Sequence, residues 1–328
     1  MGEKVLMKGN EAVAEAAIRA GCRLYFAYPI TPQSELIEYM SRMMPKIGGT
    51  FIQAESEIAA INMVYGASGC GRRAMTSSSS PGISLKMEGI SYLGGAELPA
   101  VIVNVQRGGP GLGDIQPSQG DYFQATKGGG HGDYKTIVLA PSSVQEFADM
   151  AELAFDLGDK YRNPVIILSD GLLGQMMEPV DFKPYKTDEE MEKLNTQHYD
   201  WCIHPNEDEP NHHHHEINSL EIDPLVLEKH VLKLGEKYQK IIANEPRWEE
   251  YQVSPDCEYL IVAFGTAARI AKSAIDELNE EGIKIGLIRP ITVWPYPYDA
   301  IVKALTPSVK KILVTELNLG QMISVCFV

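Results

Sequence analysis

Several short stretches hold side chains in settings where they could do chemistry. In YPITPQS (28–34) prolines flank Thr31, which stiffens the loop and fixes where its hydroxyl points. The plainer alternative is a strand-to-helix turn in which Thr31 or Ser34 caps the helix. QAESEIAAINMVYGAS (53–68) puts Glu55 and Glu57 at the start of a helix, where acids are favoured by the dipole whatever their role. Glu57, however, is followed by Ile58, Ala59, Ala60 and Ile61, the composition of a buried helix. A carboxyl group there is poorly hydrated. An acid that keeps its proton in an apolar site is what acid–base chemistry on a ring nitrogen requires.

TSSSSPG (76–82) is a hydroxyl-rich turn before a helix that begins near Pro81. Ser79, Ser80 and the free backbone N–H groups at that end suit an anion or a ligand's polar atoms, or they simply cap the helix. VQRGGPGLGDIQPSQGD (105–121) is a glycine-rich loop with one arginine, Arg107, at a strand end. It matches neither G-x-x-x-x-G-K-[ST] nor a helix-opening G-x-G-x-x-G, so it is not a nucleotide loop. It is better suited to bringing a guanidinium to a carboxylate, which Arg recognises bidentately; otherwise it is an ordinary surface loop. His131 in TKGGGHGDY (126–134) is a candidate proton donor or a solvated loop histidine. The NHHHH run (211–215) has no spaced carboxylate or cysteine beside it and is treated as a solvated loop.

These stretches fall in the loops of an alternating pattern. The segments 24–32, 50–68, 73–95, 99–114, 136–143 and 163–175 each read as a short apolar run, and these runs alternate with helical stretches. That predicts a parallel sheet covered on both faces, with the ligand crevice at the carboxyl ends of its strands. The first unit spans 1–182. Residues 183–252, rich in charge, Pro, Asn and His, are expected to form a charged linker with one amphipathic helix over 224–242. Alternation resumes in 253–328, a second α/β unit with three visible strands.

The bulk properties narrow the classes. A net charge of −15 argues against nucleic acid or an anionic membrane as partner. No run of 18 apolar residues exists, so no membrane span is expected. Five cysteines without a C-x-x-C make poor material for disulfides or a cysteine-ligated cluster. Reduced thiols in a cytoplasm are expected, and no signal peptide is seen.

Taken together, YPITPQS, QAESEIAAINMVYGAS, MTSSSSPGISLKMEGISYL, NVQRGGPGLGDIQPSQGDYFQATKGGGHGDY and VAFGTAARIAKSAI resemble the alpha subunit of 2-oxoacid:ferredoxin oxidoreductases over residues 1 to about 321. The likeness is greatest to the 3-methyl-2-oxobutanoate (2-oxoisovalerate) type; the 2-oxoglutarate and pyruvate types share the framework. The resemblance implies a thiamine-diphosphate pyrimidine-binding domain followed by a transketolase C-terminal-like α/β domain. Glu57 falls on the family glutamate that bonds N1′ of the aminopyrimidine and so promotes proton loss from thiazolium C2. Thr31 and Arg107 fall beside the substrate carboxylate, and Ser79 and Ser80 lie along the cofactor.

The G-D-G motif that carries Mg²⁺ and the diphosphate in this class is not matched: SDGLLGQ (169–175) lacks the first glycine. Mg²⁺ and iron–sulfur clusters are therefore expected on partner subunits: a thiamine-diphosphate-binding beta subunit, a gamma subunit and a ferredoxin-like subunit. Coenzyme A would be the co-substrate and ferredoxin the electron acceptor. Where family members continue past ELNLGQM with a helix and strand, this chain reads ISVCFV (323–328), so a short or truncated second unit is expected to leave apolar surface uncovered. Two other readings compete: a non-oxidative thiamine-diphosphate decarboxylase subunit, which needs no iron, and a non-catalytic scaffold subunit. A nucleotide-dependent dehydrogenase lacks its fingerprint loop.

Overall fold

The computed structural model describes residues 4–198, 200–203 and 215–326. The chain opens with β1 (Val5–Lys8), α1 (Gly9–Arg19), β2 (Leu24–Ala27), α2 (Ser34–Met43), β3 (Thr50–Gln53), α3 (Glu57–Gly69), β4 (Ala74–Ser78), α4 (Ser80–Gly95) and β5 (Ala100–Gln106). The glycine-rich loop follows, then β6 (Ile137–Leu139), α5 (Val144–Tyr161), β7 (Pro164–Asp170), α6 (Gly171–Gln175) and β8 (Met177–Val180). Next come α7 (Asp188–Thr196), α8 (Pro224–Asn244), β9 (Trp248–Tyr251), β10 (Tyr259–Val262), α9 (Gly265–Glu280) and β11 (Ile285–Pro290). Last are β12 (Thr292–Trp294), α10 (Tyr298–Ala304), β13 (Lys311–Val314) and α11 (Ile323–Cys326).

The main sheet has the order β12-β6-β7-β5-β4-β2-β3 and is parallel except for β12. Its central strands AVIVNVQ and PVIILSD are buried at every position. Continuous β-branched runs of this kind are what a sheet covered on both faces selects. Residues of α1, α2 and α5 pack on one face with Tyr25, Val103 and Ile167. Residues of α3 and α4 pack on the other with Ile102, Ile166 and Leu168.

The second sheet, β13-β10-β11-β9, shares that second core: Leu260, Val262, Phe264 and Ile288 join Tyr122 and Ile102. The Tyr122 and Phe264 rings lie 5.5 Å apart. α9 covers the sheet's opposite face through Ala267, Ala271 and Ile275.

Two elements sit where the sequence pattern does not put them. β9, from the charged stretch RWEEY, is an antiparallel edge strand on β11, so the second sheet has four strands rather than three. β12 follows β11 directly yet leaves that sheet and pairs antiparallel with β6 of the main one. The helix expected over 224–242 is α8, whose Leu234, Tyr238 and Ile241 are buried against the main core. Of the His212–His215 run, His212, His213 and His214 lie outside the described residues; His215 Nδ1 is 2.9 Å from the Cys202 carbonyl.

Arg289 on β11 ties the units together. It is 2% exposed; its Nε donates to Glu249 on β9 at 2.6 Å, and its two terminal nitrogens donate to Glu146 on α5 at 3.0 and 2.6 Å. Arg289→Met would leave Glu146 without its cation, while Glu249 would keep Lys272. Both partners are about 30% exposed, so water recovers part of the loss. The cost is placed at the lower end of that for a broken buried pair, about 3 kcal/mol. Denaturant unfolding of the purified protein measures it, and a loss below about 1 kcal/mol would refute the bridging role.

Candidate active site

The carboxyl ends of β2, β3, β4 and β5 gather the residues singled out above around the first turn of α4. Ser56 caps α3, its Oγ accepting from the Ala59 N–H at 3.1 Å. That fixes Glu57 as the first helical residue. Glu55 stays exposed while Glu57 turns inward and is 6% exposed.

Glu57 is seated against Gly82. A Cβ built on Gly82 would lie 2.6 Å from Glu57 Oε1, 3.0 Å from its Cγ and 2.1 Å from Ser78 Oγ. The glycine is therefore the seat of the carboxyl group rather than a flexible turn.

The hydroxyls beside it are not spent on capping. Ser79 occupies the N-cap position of α4 but its side chain makes no capping bond. Ser78 Oγ and Ser79 Oγ are both buried without a hydrogen-bond partner. Buried hydroxyls that forgo both water and a cap are costly unless something else meets them. Ser80 is committed instead: its Oγ donates to Asp121 Oδ2 at 2.6 Å and accepts from the Arg107 N–H at 3.1 Å. Asn104 Nδ2 donates to the same Asp121 oxygen at 2.9 Å. Burial pushes the Asp121 carboxyl group above the usual range, and the bonds from Ser80 and Asn104 oppose that shift.

Arg107 sits at the end of β5 and is 8% exposed. Its Nη1 donates to the Thr31 carbonyl at 2.9 Å and its Nη2 to the Leu112 carbonyl at 3.1 Å; its buried Nε has no partner. Thr31 and Arg107 are thus brought together, but through the threonine backbone, leaving the exposed side chain free. Neither Thr31 nor Ser34 caps α2, which starts after Gln33 without a side-chain cap. His131 is exposed and lies 3.4 Å from Ser91 on α4, 11 residues beyond Ser80, which is about 16 Å along the helix. It is not part of this cluster.

A cleft of about 680 Å³ opens beside Ser80, Arg107 and Asp121. Its opposite wall comes from the second unit, through Leu317, Asn318 and Leu319. Gln119 fastens that wall: its Oε1 accepts from Leu317 N at 2.9 Å, its N–H donates to Leu317 O at 3.0 Å, and its Nε2 donates to Phe264 O at 2.9 Å. Gln321 adds bonds to Gly120 O at 2.7 Å and from Phe123 N at 2.8 Å. The cleft is therefore composite, and sequence reasoning found only one side of it. It also missed Asp121, Asn104 and Gly82. A glycine in the first turn of a helix was a readable signal for the last of these. The partners of Asp121 are 17 and 41 residues away and left none.

Thiamine diphosphate fits this arrangement on its pyrimidine side. A buried carboxyl group can meet a ring nitrogen, and the orphaned Ser78 and Ser79 hydroxyls can meet neighbouring polar atoms. Asp170 in SDGLLGQ is spent locally: it caps α6, accepting from Leu172 N at 2.9 Å and Leu173 N at 3.2 Å. Among the described residues no group of three or more His, Cys, Asp or Glu could hold a metal ion, and no helix is long and apolar enough to cross a membrane. Cys22, Cys70, Cys202, Cys257 and Cys326 are free thiols.

Comparison with known proteins agrees with the geometry. Residues 15–228 match the family described as pyruvate flavodoxin/ferredoxin oxidoreductase, thiamine diP-binding, and residues 257–325 match pyruvate:ferredoxin oxidoreductase core domain II. The chain is 50% identical to the ketoisovalerate oxidoreductase subunit VorB of Methanothermobacter thermautotrophicus, over 97% of this chain and 87% of that one. It is 39% identical to the 2-oxoglutarate synthase subunit KorA of Methanocaldococcus jannaschii, over 96% and 89%. Among solved structures, the 2-oxoglutarate:ferredoxin oxidoreductase of Magnetococcus marinus, with 2-oxoglutarate, coenzyme A and succinyl-CoA bound, superposes with a TM-score of 0.83 at 30% identity. That match covers 98% of this chain, which spans 59% of the solved one. A split-gene transketolase superposes with a TM-score of 0.53 at 13% identity over 96% of this chain and 80% of that one, a likeness of fold alone.

Proposed function

The chain belongs to the family of 2-oxoacid:ferredoxin oxidoreductase subunits, and from that premise we propose that it supplies the pyrimidine side of a shared active site that oxidises a branched-chain 2-oxoacid. It is one subunit of a multi-subunit thiamine-diphosphate enzyme. The overall reaction consumes a 2-oxoacid, coenzyme A and two oxidised ferredoxins. It yields acyl-CoA, carbon dioxide, a proton and two reduced ferredoxins. When bound, thiamine diphosphate supplies the carbon nucleophile for the 2-oxo carbon and holds the electrons left when carbon dioxide departs.

The observation that carries the proposal is the buried Glu57 carboxyl group seated on Gly82, beside two hydroxyls without partners. Glu57 holds or releases a proton at the pyrimidine nitrogen; Ser78 and Ser79 orient the ring; Arg107 and Thr31 line the approach of the substrate carboxylate. The diphosphate, its Mg²⁺ and the iron–sulfur clusters belong on beta, gamma and ferredoxin-like partners, in the cytoplasm, where free thiols persist.

The branched-chain choice rests on the cleft and on kinship. Arg107 is the single basic side chain among the described residues that line the cleft, whose walls mix Pro81, Leu317 and Leu319 with the polar Ser84, Asp121, Gln124 and Gln321. One cation suits one carboxylate, whereas a 2-oxoglutarate site needs a second. A half-identical relative is a ketoisovalerate oxidoreductase subunit.

The test is reduction of a ferredoxin analogue by the co-expressed complex with coenzyme A, across a panel of 2-oxoacids. Expected is a kcat/KM for 2-oxoisovalerate about tenfold or more above that for 2-oxoglutarate. The reverse preference would keep the class and overturn the substrate. Decarboxylation without reduction, in a complex free of iron, would favour the decarboxylase alternative.

A further inference from the structure

Asn10 stands in the first turn of α1, yet its amide does not cap that helix and is fully buried. Both Nδ2 protons have partners at the start of α2: the Pro32 carbonyl at 2.8 Å and Glu35 Oε2 at 2.9 Å. Gln175 of α6 reaches the same two atoms, its Nε2 donating to Pro32 O at 3.2 Å and to Glu35 Oε2 at 2.7 Å. Two glycines let α1 and α6 come close enough for this. A Cβ on Gly9 would lie 2.1 Å from the Leu173 carbonyl oxygen, and one on Gly174 would lie 2.7 Å from Asn10 Oδ1. Asn10 Oδ1 itself is buried without a partner. An apolar side chain of the same size would fill this space without leaving such an acceptor unmet, so packing alone does not account for the asparagine.

The two amides hold the loop that carries Thr31. Each carbonyl of that loop has a donor: Ile30 O accepts from Gln33 N at 3.2 Å, Thr31 O from Arg107 Nη1 at 2.9 Å, and Pro32 O from Asn10 and Gln175. Thr31 is exposed and lines a cavity of about 480 Å³ with Pro32, Ile115 and Leu172.

We propose that Asn10 is a positioning residue for the 2-oxoacid: by holding the Pro32 carbonyl from inside the fold, it keeps the Thr31 hydroxyl where the substrate carboxylate binds. This rests on Thr31 lying beside that carboxylate. A hydroxyl that meets the carboxylate before and during the reaction contributes to binding rather than to rate. Loss of the clamp therefore weakens substrate binding and spares turnover.

Asn10→Leu in the co-expressed complex tests this, since leucine keeps the size of the side chain and loses both donors. KM for 2-oxoisovalerate is expected to rise about tenfold, the loss that follows when a hydrogen bond to a charged group weakens. The kcat value, KM for coenzyme A and the affinity for thiamine diphosphate, read from tryptophan fluorescence without substrate, stay within about twofold. Thr31→Val is expected to give the same rise. Adding Asn10→Leu to Thr31→Val raises KM by less than about a further twofold, because the two residues act as one unit.

An unchanged KM in Asn10→Leu, beside a raised one in Thr31→Val, would overturn the role of Asn10 alone. An unchanged KM in Thr31→Val would overturn the premise that Thr31 meets the substrate. A lower kcat with weaker coenzyme A and thiamine diphosphate binding in Asn10→Leu would make Asn10 a packing residue only and overturn the proposal. So would a full further rise in the Thr31→Val background, which would mean that Asn10 acts elsewhere. Gly174→Ala answers the same questions if the leucine variant does not assemble, since its methyl group would stand 2.7 Å from Asn10 Oδ1 and push the amide off the carbonyl.

Discussion

Glu57→Gln is expected to lower turnover of the assembled enzyme by about 10²–10⁴-fold, the usual loss when positioned acid–base help is removed. Glutamine preserves the length and shape of the side chain, so its amide can still rest on Gly82 and the capping of α3 by Ser56 is untouched. What it lacks is a proton that can be held or released at a ring nitrogen. The melting temperature should stay within a few degrees, and thiamine diphosphate should still bind if, as proposed, its diphosphate end is held by a partner. A loss of less than about fivefold in an intact, cofactor-loaded complex would favour the scaffold alternative.

Gly82→Ala should come close to the same loss, at least about 10²-fold, without touching an ionisable group. The added methyl group would stand 2.6 Å from Glu57 Oε1 and 3.0 Å from its Cγ, well inside contact distance. Two flexible side chains, Glu57 and Ser78, give way before the backbone does, so the substitution moves the acid rather than unfolding the helix. A displacement of about 1 Å at a reacting group can cost that much. Gly66→Ala on α3 is the matching control. Nothing lies within 4 Å of its Cβ position, and alanine is the better helix former by roughly 0.8–1.0 kcal/mol. The control should be as active as the unsubstituted enzyme and slightly more stable. Equal activity in the two variants would mean that Gly82 does not seat the acid.

Much of the fold was legible in the sequence because periodicity is local. The runs around Leu24–Ala27, Ala100–Gln106 and Pro164–Asp170 became strands of one parallel sheet, and the amphipathic pattern at 224–242 became α8. What escaped depends on distant pairing. β9 reads as a charged stretch because an edge strand with two half-exposed faces has little apolar signal to show. β12 changes sheets one residue after β11 ends, and no local pattern distinguishes a strand that continues in its own sheet from one that crosses to another.

The site divides in the same way. Residue types and order already offered Glu57, Arg107 and the serine turn as candidates, beside the plainer readings of a helix-start acid, a surface loop and a cap. Tertiary structure alone decided their relations. It joined Arg107 to the Thr31 carbonyl rather than its hydroxyl, set Glu57 against Gly82, and brought Asp121 to Ser80. It brought Asn10 to the Pro32 carbonyl and closed the cleft with Leu317–Leu319 from the far end of the chain. By itself the sequence determined which side chains could do the chemistry and which strand ends would carry them, because propensity and period act over a few residues. Which of them touch was decided by packing between segments tens to hundreds of residues apart, and that close packing fixes distances to fractions of an ångström.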